Sequence, residues 1–214
     1  MWLSMKNKLY INEIFHSIDG EGRRAGELAS FIRLCGCNLR CIYCDTTYAF
    51  AEGRLMDVED IVAAVRYRNV TLTGGEPLLQ PIHGLLQALS AQDVNIETNG
   101  SVDILPYMVY PHVWFTIDYK GPFSQMEEKM YAPNFRHLRS QDVLKFVVGS
   151  YQDLEVARIL CEEVQPTCAI YVGAVFETLA PRDIVTYMER YSLTSWRLQL
   201  QMHKYIWPPD MRGV

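Results

Sequence analysis

Short apolar runs rich in β-branched and aromatic residues recur along the chain, and polar or turn-forming residues separate them. Runs of this length and composition are typical of buried β-strands. The pattern predicts seven strands, at Ser30–Cys35, Val70–Thr73, Val94–Glu97, Val113–Asp118, Val143–Val148, Ile170–Val175 and Trp196–Leu200. A further strand at Leu9–Phe15 is expected to lead into the first of them.

Between these runs, apolar residues recur at helical spacing behind four N-terminal signals. Asp57 has the position of an N-cap residue, and Pro81 and Pro181 stand where the first residue of a helix is expected. Ser150 and Asp153 resemble a capping box, with aspartate in place of the usual glutamate. The apolar positions behind the signals are Val58, Ile61, Val62 and Val65; Ile82, Leu85, Leu86 and Leu89; Leu154, Ala157 and Leu160; and Ile184, Val185 and Met188.

The alternation of strands and helices indicates α/β architecture, with βα units and a parallel sheet. Two architectures remain open at this point, an open doubly wound sheet and an incomplete βα barrel. Unusual residues follow four consecutive strands: the segment Cys37–Cys44, the GGEP sequence at 74–77, Asn99 with Gly100, and Lys120. Because the carboxyl ends of parallel strands form one rim, we expect these residues to build a single site.

Composition narrows the class of protein. The chain has 214 residues, 49% of them hydrophobic, and no repeat or linker, which predicts one domain over residues 1–214. Its net charge of −5 argues against nucleic-acid binding. No apolar stretch reaches the roughly 20 residues of a membrane span, and Met1–Tyr10 lacks the apolar core of a signal peptide. We therefore expect a cytoplasmic protein without a membrane partner, in which thiols stay reduced.

The sequence CGCNLRCIYC at 35–44 contains the most specific chemistry of the chain. Cys37, Cys41 and Cys44 have the spacing C-x3-C-x2-C within one loop, so their thiolates can converge on one metal centre. A structural zinc site usually has four ligands, in paired arms. Three cysteines suit a four-iron, four-sulfur cluster that leaves one iron open to a further ligand.

The other cysteines are weaker ligand candidates. Cys35 is the only one near the triplet, and its place at the end of a predicted strand constrains it. Cys161 and Cys168 lie in or next to predicted elements, where cysteine commonly serves as a small buried residue. The triplet therefore favours an iron–sulfur cluster over a zinc site or unrelated buried thiols.

The C-x3-C-x2-C loop after a first strand, with Tyr43 before its last cysteine and GGEP after the second strand, resembles the radical S-adenosylmethionine superfamily. The resemblance implies an incomplete (partial) βα barrel and a 4Fe-4S cluster that reduces S-adenosylmethionine to release a 5′-deoxyadenosyl radical. It also implies that backbone near Gly75 meets the amino group of that cofactor. Glycine at 74 and 75 permits a close backbone approach because it lacks a Cβ.

A narrower resemblance covers nearly the whole chain. The segments INEIFHSIDGEG (11–22), SFIRLCGCNLRCIYCDT (30–46), TGGEP, ETNG, DYK and QMHKYIW resemble the family of 7-carboxy-7-deazaguanine synthases. The resemblance implies a lyase that contracts the ring of 6-carboxy-5,6,7,8-tetrahydropterin in 7-deazapurine and queuosine biosynthesis, with loss of ammonia. It also implies Mg²⁺, an electron donor of flavodoxin or ferredoxin type, and a homodimer.

The resemblance assigns residues as follows. The cluster ligands are Cys37, Cys41 and Cys44, and the magnesium ligand is Thr46. The S-adenosylmethionine contacts are Tyr43, Cys44, Asp45, Gly75, Asp118, Tyr119 and Lys120. The substrate contacts are Ile18, Asp19, Gly20, Glu21, Arg33, Thr73, His203 and Val214.

Several of these residues also have structural interpretations. Thr46 is equally consistent with a hydroxyl-capped turn, Arg33 with a buried ion pair, and an isolated residue such as His203 with a structural role. Asp19 stands where the family that this chain resembles commonly has glutamine, which both donates and accepts hydrogen bonds, so the substrate contact at this position is expected to be made differently or through the backbone alone. The DYK segment at 118–120 departs from the family's serine–proline–lysine pattern.

Two other functions share part of this pattern. Another small radical enzyme, such as a glycyl-radical activase, has the same cysteine spacing but acts on a protein and does not need SIDGEG. A non-catalytic zinc or iron–sulfur module needs only the cysteines. Neither accounts for special residues after four consecutive strands.

Overall fold

The computed structural model describes residues 7–214. Its strands are β1 Lys8–Ile18, β2 Leu28–Leu34, β3 Arg54–Asp57, β4 Asn69–Gly74, β5 Asp93–Thr98, β6 Val113–Tyr119, β7 Val143–Val148, β8 Ala169–Ala174 and β9 Trp196–Leu198. All eight predicted strands are present; β7 has the predicted bounds and the other seven have shifted ends. The expectation for Met1–Tyr10 falls mostly on residues 1–6, which lie outside the described residues.

The strands of the described residues form one open sheet in the order β3-β1-β2-β4-β5-β6-β7-β8-β9. All neighbours from β2 to β9 pair in parallel. The order follows the chain from β4 to β9 without the reversal that a doubly wound sheet requires. The architecture is therefore the incomplete βα barrel.

The edge at β1 corrects the expectation of a purely parallel sheet. β1 pairs antiparallel with β2 on one side and with β3 on the other. The strand β3, which the sequence pattern did not predict, has only four residues, and its apolar Leu55 is 47% exposed. A short strand without a buried face lacks the hydrophobic pattern on which the prediction depends.

The helices are α1 Val58–Ala63, α2 His83–Ala88, α3 Pro133–Arg136, α4 Tyr151–Val164, α5 Pro181–Arg190 and α6 His203–Ile206. The capping box of Ser150 and Asp153 and the N-terminal Pro181 are confirmed. Asp57 is the N-cap of α1, but its side chain pairs with Lys8 instead of capping. Pro81 is not the first helical residue, because α2 begins two residues later. None of the described helices has the length and apolar character needed to cross a membrane.

The two faces of the parallel sheet differ in polarity. Residues such as Leu72, Ile96 and Ile117 are fully buried in the hydrophobic core. The alternate positions are polar and face the inside of the partial barrel. They stand beside one another across the strands, as in the pairs Arg33↔Thr73, Glu97↔Thr116 and Asp118↔Lys145. Because strand residues alternate between faces, a polar inner lining follows from the period of two in sequences such as NIET and FTID.

Candidate active site

A cavity of about 1000 Å³ occupies the inside of the partial barrel. The loops after β2, β4, β5 and β6 all reach it, which confirms the expected single rim. The predicted site residues that line it are Ile18, Asp19, Gly20, Glu21, Arg33, Cys37, Cys41, Tyr43, Cys44, Asp45, Thr46, Thr73, Gly75, Asp118, Lys120, His203 and Val214.

Tyr119 is the exception among the predicted residues. Its neighbours Asp118 and Lys120 point into the cavity, so strand alternation turns Tyr119 to the opposite face. There its ring packs edge-on against Phe135 at 5.3 Å, and its hydroxyl bonds Glu127 at 3.1 Å. The Tyr119 side chain therefore belongs to the core, not to the cofactor pocket.

The cysteine loop presents three thiols to the cavity. The Cys37 sulfur accepts hydrogen bonds from the Leu39 amide at 3.4 Å and from the side-chain nitrogen of Asn99 at 3.8 Å. Burial raises the pKa of the Cys41 and Cys44 thiols, so their ionisation near neutral pH requires a compensating positive charge. A bound metal centre supplies such a charge, and three soft thiolates suit iron–sulfur chemistry.

Other features limit what this loop can bind. Cys35 does not line the cavity, and its amide donates to the Tyr10 carbonyl oxygen at 2.9 Å. Within residues 7–214, no three His, Cys, Asp or Glu side chains are grouped so that they could hold one metal ion. The three cysteines Cys37, Cys41 and Cys44 line the open cavity without forming a site for a single ion.

The two glycines after β4 allow two loops to touch. A Cβ on Gly75 would lie 2.1 Å from the Gly36 carbonyl oxygen and 2.8 Å from the Cys37 Cβ. Gly74 adopts φ +141, and a Cβ there would lie 2.1 Å from the Leu34 oxygen. The absence of side chains therefore lets the GGEP loop pack directly against the backbone of the cysteine loop.

Glu76 follows the two glycines and belongs to the GGEP sequence, in which only the glycines were assigned a role. The residue is fully buried, and its carboxylate accepts hydrogen bonds from the Leu78 amide (3.0 Å), the Thr98 hydroxyl (2.9 Å) and the Asn99 amide (2.7 Å). Burial raises its pKa to about 7, even though these bonds act in the opposite direction. Glu76 thus joins the loop after β4 to the loop after β5.

One side of the cavity contains polar atoms without protein partners. The Tyr43 hydroxyl and Asp118 Oδ1 are buried and make no hydrogen bond within the described part of the chain. Asp118 Oδ2 pairs with Lys120 Nζ at 2.9 Å, and the Tyr43 ring stacks on Phe123 at 6.1 Å. Buried polar atoms normally have partners, so this region is suited to a ligand that supplies them. The expected S-adenosylmethionine region therefore fits a polar cofactor.

Of the two interpretations offered for Arg33, the structure shows the ion pair, and recognition of a substrate carboxylate stays a prediction. Its Nε donates to Glu13 at 2.8 Å, which is the structural ion pair. Its guanidinium also lies beside the rings of Phe15 and Tyr48, at 5.6 and 5.8 Å. The terminal guanidinium nitrogens make no hydrogen bond to the described residues, so this end of the side chain is available to an anionic ligand.

A charged cluster lies at the centre of the inner face. Lys145 Nζ contacts the Glu21 carboxylate at 2.5 Å and is also close enough to Glu97 for their charges to interact. Glu97 accepts a hydrogen bond from Thr73, and burial raises the pKa of its carboxyl. Glu97 and Lys145 were not predicted. The alternation of NIETN and VLKFV, which places polar residues on one face of a strand, was the available signal.

The magnesium candidate Thr46 donates its hydroxyl to Asp45 Oδ1 at 2.8 Å. The other oxygen of Asp45 lies 3.6 Å from Lys204 Nζ, a residue of α6 that was not predicted. Lys204 also covers the ring of Phe176 at 4.7 Å. These contacts join the cysteine loop to the C-terminal segment.

The C-terminal segment and the loop after β1 meet at Gly20. The Gly20 carbonyl oxygen accepts from the Met202 amide at 3.1 Å, and a Cβ on Gly20 would lie 2.5 Å from His203 Nδ1. Burial lowers the pKa of His203, so its ring is more readily neutral. Val214 lines the same cavity. By contrast, the Asp19 carboxylate is bound within the protein, to Arg24 and Thr71.

Comparisons with known proteins agree with this geometry. The model of the radical SAM superfamily matches residues 31–185. A 7-carboxy-7-deazaguanine synthase of Clostridium acetobutylicum is 44% identical, over 94% of this chain and 97% of its own length. One from Chlorobaculum tepidum is 41% identical, over 99% of this chain and its full length. The crystal structure of QueE from Escherichia coli is similar to this structure with a TM-score of 0.72, over 89% of this chain and 92% of that one. The two sequences are 23% identical, so this likeness supports the fold alone.

The family model covers most of the chain, and the relatives align over nearly their whole length. These matches agree with a partial barrel that presents three cysteines of one loop to a polar cavity. The chain belongs to the radical S-adenosylmethionine superfamily and, within it, to the family of the 7-carboxy-7-deazaguanine synthases.

Proposed function

We propose that this protein converts 6-carboxy-5,6,7,8-tetrahydropterin to 7-carboxy-7-deazaguanine with release of ammonia. When bound, the cluster and S-adenosylmethionine supply a 5′-deoxyadenosyl radical that removes a hydrogen atom from the substrate. The observation that carries the proposal is that the three cysteines and the polar inner face of the sheet open into one cavity. The volume of about 1000 Å³ has room for two small molecules side by side.

Three cavity residues have the chemistry to orient this substrate. The amino and ring N–H groups of a pterin are paired donors, and the Glu97 carboxylate can accept from them. The free end of Arg33 matches the substrate carboxylate, which is a planar anion. Thr73, beside Arg33 in the sheet, helps to orient Glu97. Such contacts at both ends of the ring would hold it at one angle to the cofactor.

The finer parts of the proposal concern the cation and the partners. Thr46 and Asp45 are oxygen donors next to the cysteine loop, so we assign Mg²⁺ to this position, completed by substrate and water oxygens. A flavodoxin or ferredoxin would deliver electrons, and the protein would act as a homodimer in the cytoplasm, where reduced thiols support cluster assembly.

The test is an anaerobic assay with purified, cluster-loaded protein. Dithionite, S-adenosylmethionine and the carboxypterin are added, and 7-carboxy-7-deazaguanine and 5′-deoxyadenosine are measured by mass spectrometry. We expect 7-carboxy-7-deazaguanine and ammonia in equal amounts, with 5′-deoxyadenosine only as a minor product of uncoupled turnover, because the reaction is redox-neutral and the hydrogen atom that the radical removes is returned after the ring contracts. Cleavage of S-adenosylmethionine without a deazaguanine product would contradict the substrate assignment. A matched Cys35→Ser variant should retain activity, whereas Cys41→Ser should lose both products.

A further inference from the structure

The side chain of Asp19 points into the protein and not toward a ligand in the cavity. The residue is 4% exposed, and both carboxylate oxygens are used inside the protein. Oδ2 accepts from Arg24 Nε at 3.0 Å, and Oδ1 accepts from the Thr71 hydroxyl at 3.0 Å. A ligand therefore finds no free oxygen on this side chain.

Arg24 extends the contact to the sheet. Its Nη1 donates to the Asp93 carbonyl oxygen at 3.0 Å, and its Nη2 donates to the Val70 carbonyl oxygen at 3.3 Å. Its guanidinium also lies 5.3 Å from the centre of the Trp114 ring. These partners lie at the N-terminal ends of β4, β5 and β6, opposite the cysteine loop. The Asp19–Arg24 pair therefore anchors the loop after β1 at the floor of the cavity.

The anchored loop contributes the backbone of Gly20 and the carboxylate of Glu21 to the lining of the cavity. Backbone hydrogen bonds of 2.8 Å from the Asp19 amide to the Glu27 oxygen and from the Gly26 amide to the Asp19 oxygen close its base. Between them, the Gly20 carbonyl holds the start of α6, and Glu21 pairs with Lys145. Displacement of the loop would therefore move Gly20, Glu21 and the C-terminal segment together.

We propose that Asp19 is a positioning residue, which acts through its buried ion pair with Arg24 to hold Gly20 and Glu21 at the floor of the substrate cavity without touching the substrate. The inference rests on the proposed function for the identity of the ligand. Removing one partner leaves the other charge buried and unpaired, which displaces the loop. If Asp19 recognised the substrate directly, the affinity for the pterin would depend on the side chain at position 19 and not on Arg24.

Substitution by glutamine separates these two mechanisms. Asp19→Gln keeps a hydrogen-bonding side chain but removes the charge that pairs with Arg24, and Asp19→Asn keeps the size of the side chain if the longer variant folds poorly. We expect either variant, and Arg24→Met, to weaken binding of the carboxypterin to anaerobic, cluster-loaded protein about tenfold or more. The double variant Asp19→Asn with Arg24→Met should be weakened less than the product of the two single effects.

Calorimetric binding constants, thermal unfolding and hydrogen–deuterium exchange of residues 18–26 provide the measurements. Asp142→Asn is the matched control, because Asp142 is a buried carboxylate that pairs with the partly exposed Arg139 and does not line the cavity. This control should lower the unfolding temperature but leave pterin affinity within about twofold and exchange in the loop unchanged.

Each outcome decides one claim. Unchanged pterin affinity in Asp19→Gln, or equal weakening in Asp142→Asn, would overturn the positioning role while leaving the proposed function intact. If wild-type protein fails to bind the pterin, the proposed function fails. In that case the exchange data still decide the positioning role, since faster exchange of residues 18–26 in Asp19→Asn supports it and unchanged exchange overturns it.

Discussion

The buried carboxylate of Glu76 provides a direct test of how the loops after β4 and β5 are joined. Glu76→Gln keeps the oxygen that accepts from Leu78 and Thr98, at 3.0 and 2.9 Å. It places an amide NH₂ against the Asn99 N–H, which in the wild-type protein donates to Glu76 Oε2 at 2.7 Å. Below a pH of about 7, where the folded protein keeps Glu76 protonated, the Asn99 N–H and the new amide NH₂ are left without acceptors, which costs about 2 kcal/mol of unfolding free energy.

The pH dependence of this cost follows from the pKa. Burial raises the pKa of Glu76 from 4.5 to about 7. Between these values the folded state keeps a proton that the unfolded state has released, so wild-type stability from this group falls as pH rises. The loss reaches about 3 kcal/mol above pH 7. Since glutamine does not titrate, the advantage of wild type is largest below pH 4.5, shrinks between pH 4.5 and about 7, and is reversed by about 1 kcal/mol above that range.

Urea unfolding of apo protein under a thiol reductant, followed by tryptophan fluorescence, measures both free energies at each pH. Glu189→Gln, an exposed change on α5, controls for the general effect of removing one negative charge. The difference between wild type and Glu76→Gln should shrink steadily with rising pH. A difference that stays constant from about pH 5 to about pH 8 would refute the reasoning, because Glu76 would then titrate alike in both states.

Three further changes have defined outcomes. Gly75→Ala places a Cβ 2.1 Å from the Gly36 oxygen, so we expect a loss of about 3 kcal/mol in urea unfolding and a low iron content. Lys145→Met leaves two carboxylates without their cation and should lower the unfolding free energy by about 3–5 kcal/mol at neutral pH. Ser150→Ala removes the cap of α4 and should cost about 1 kcal/mol, which amide exchange in the first turn also reports. Unchanged stability would contradict each prediction.

The sequence patterns were most informative where burial is strong. The runs of β4 to β8 are apolar enough to be recognised without the structure, and the Ser150 capping box was recognised because its hydrogen bonds are local. The strand β3 was missed because it lacks a buried face. Pro81 was misplaced because local residues alone do not decide whether proline enters the helix or precedes it.

The site shows the same division between local and distant contacts. The cysteine loop was recognised from its spacing, since its three cysteines are at most seven residues apart. Tyr119 was assigned from a continuous segment, although alternation in a strand turns it away from its neighbours. The partners of Asp19 were not predictable in this way, because Thr71 is 52 residues away and is brought near only by the sheet.

The charges of the cavity suggest why it accepts an anionic, hydrogen-bonding ligand. Each of its five basic side chains already has a carboxylate within 4 Å, in the pairs Arg33–Glu13, Lys120–Asp118, Lys145–Glu21, Lys204–Asp45 and Arg212–Glu52. Glu97 forms no ion pair of this kind with any residue from 7 to 214, and burial raises the pKa of its carboxyl. Because the paired groups are already oriented, binding of a ligand requires little reorganisation of these charges. What remains available, the acceptor at Glu97 and the outer nitrogens of Arg33, is complementary to a molecule with donors at one end and a carboxylate at the other.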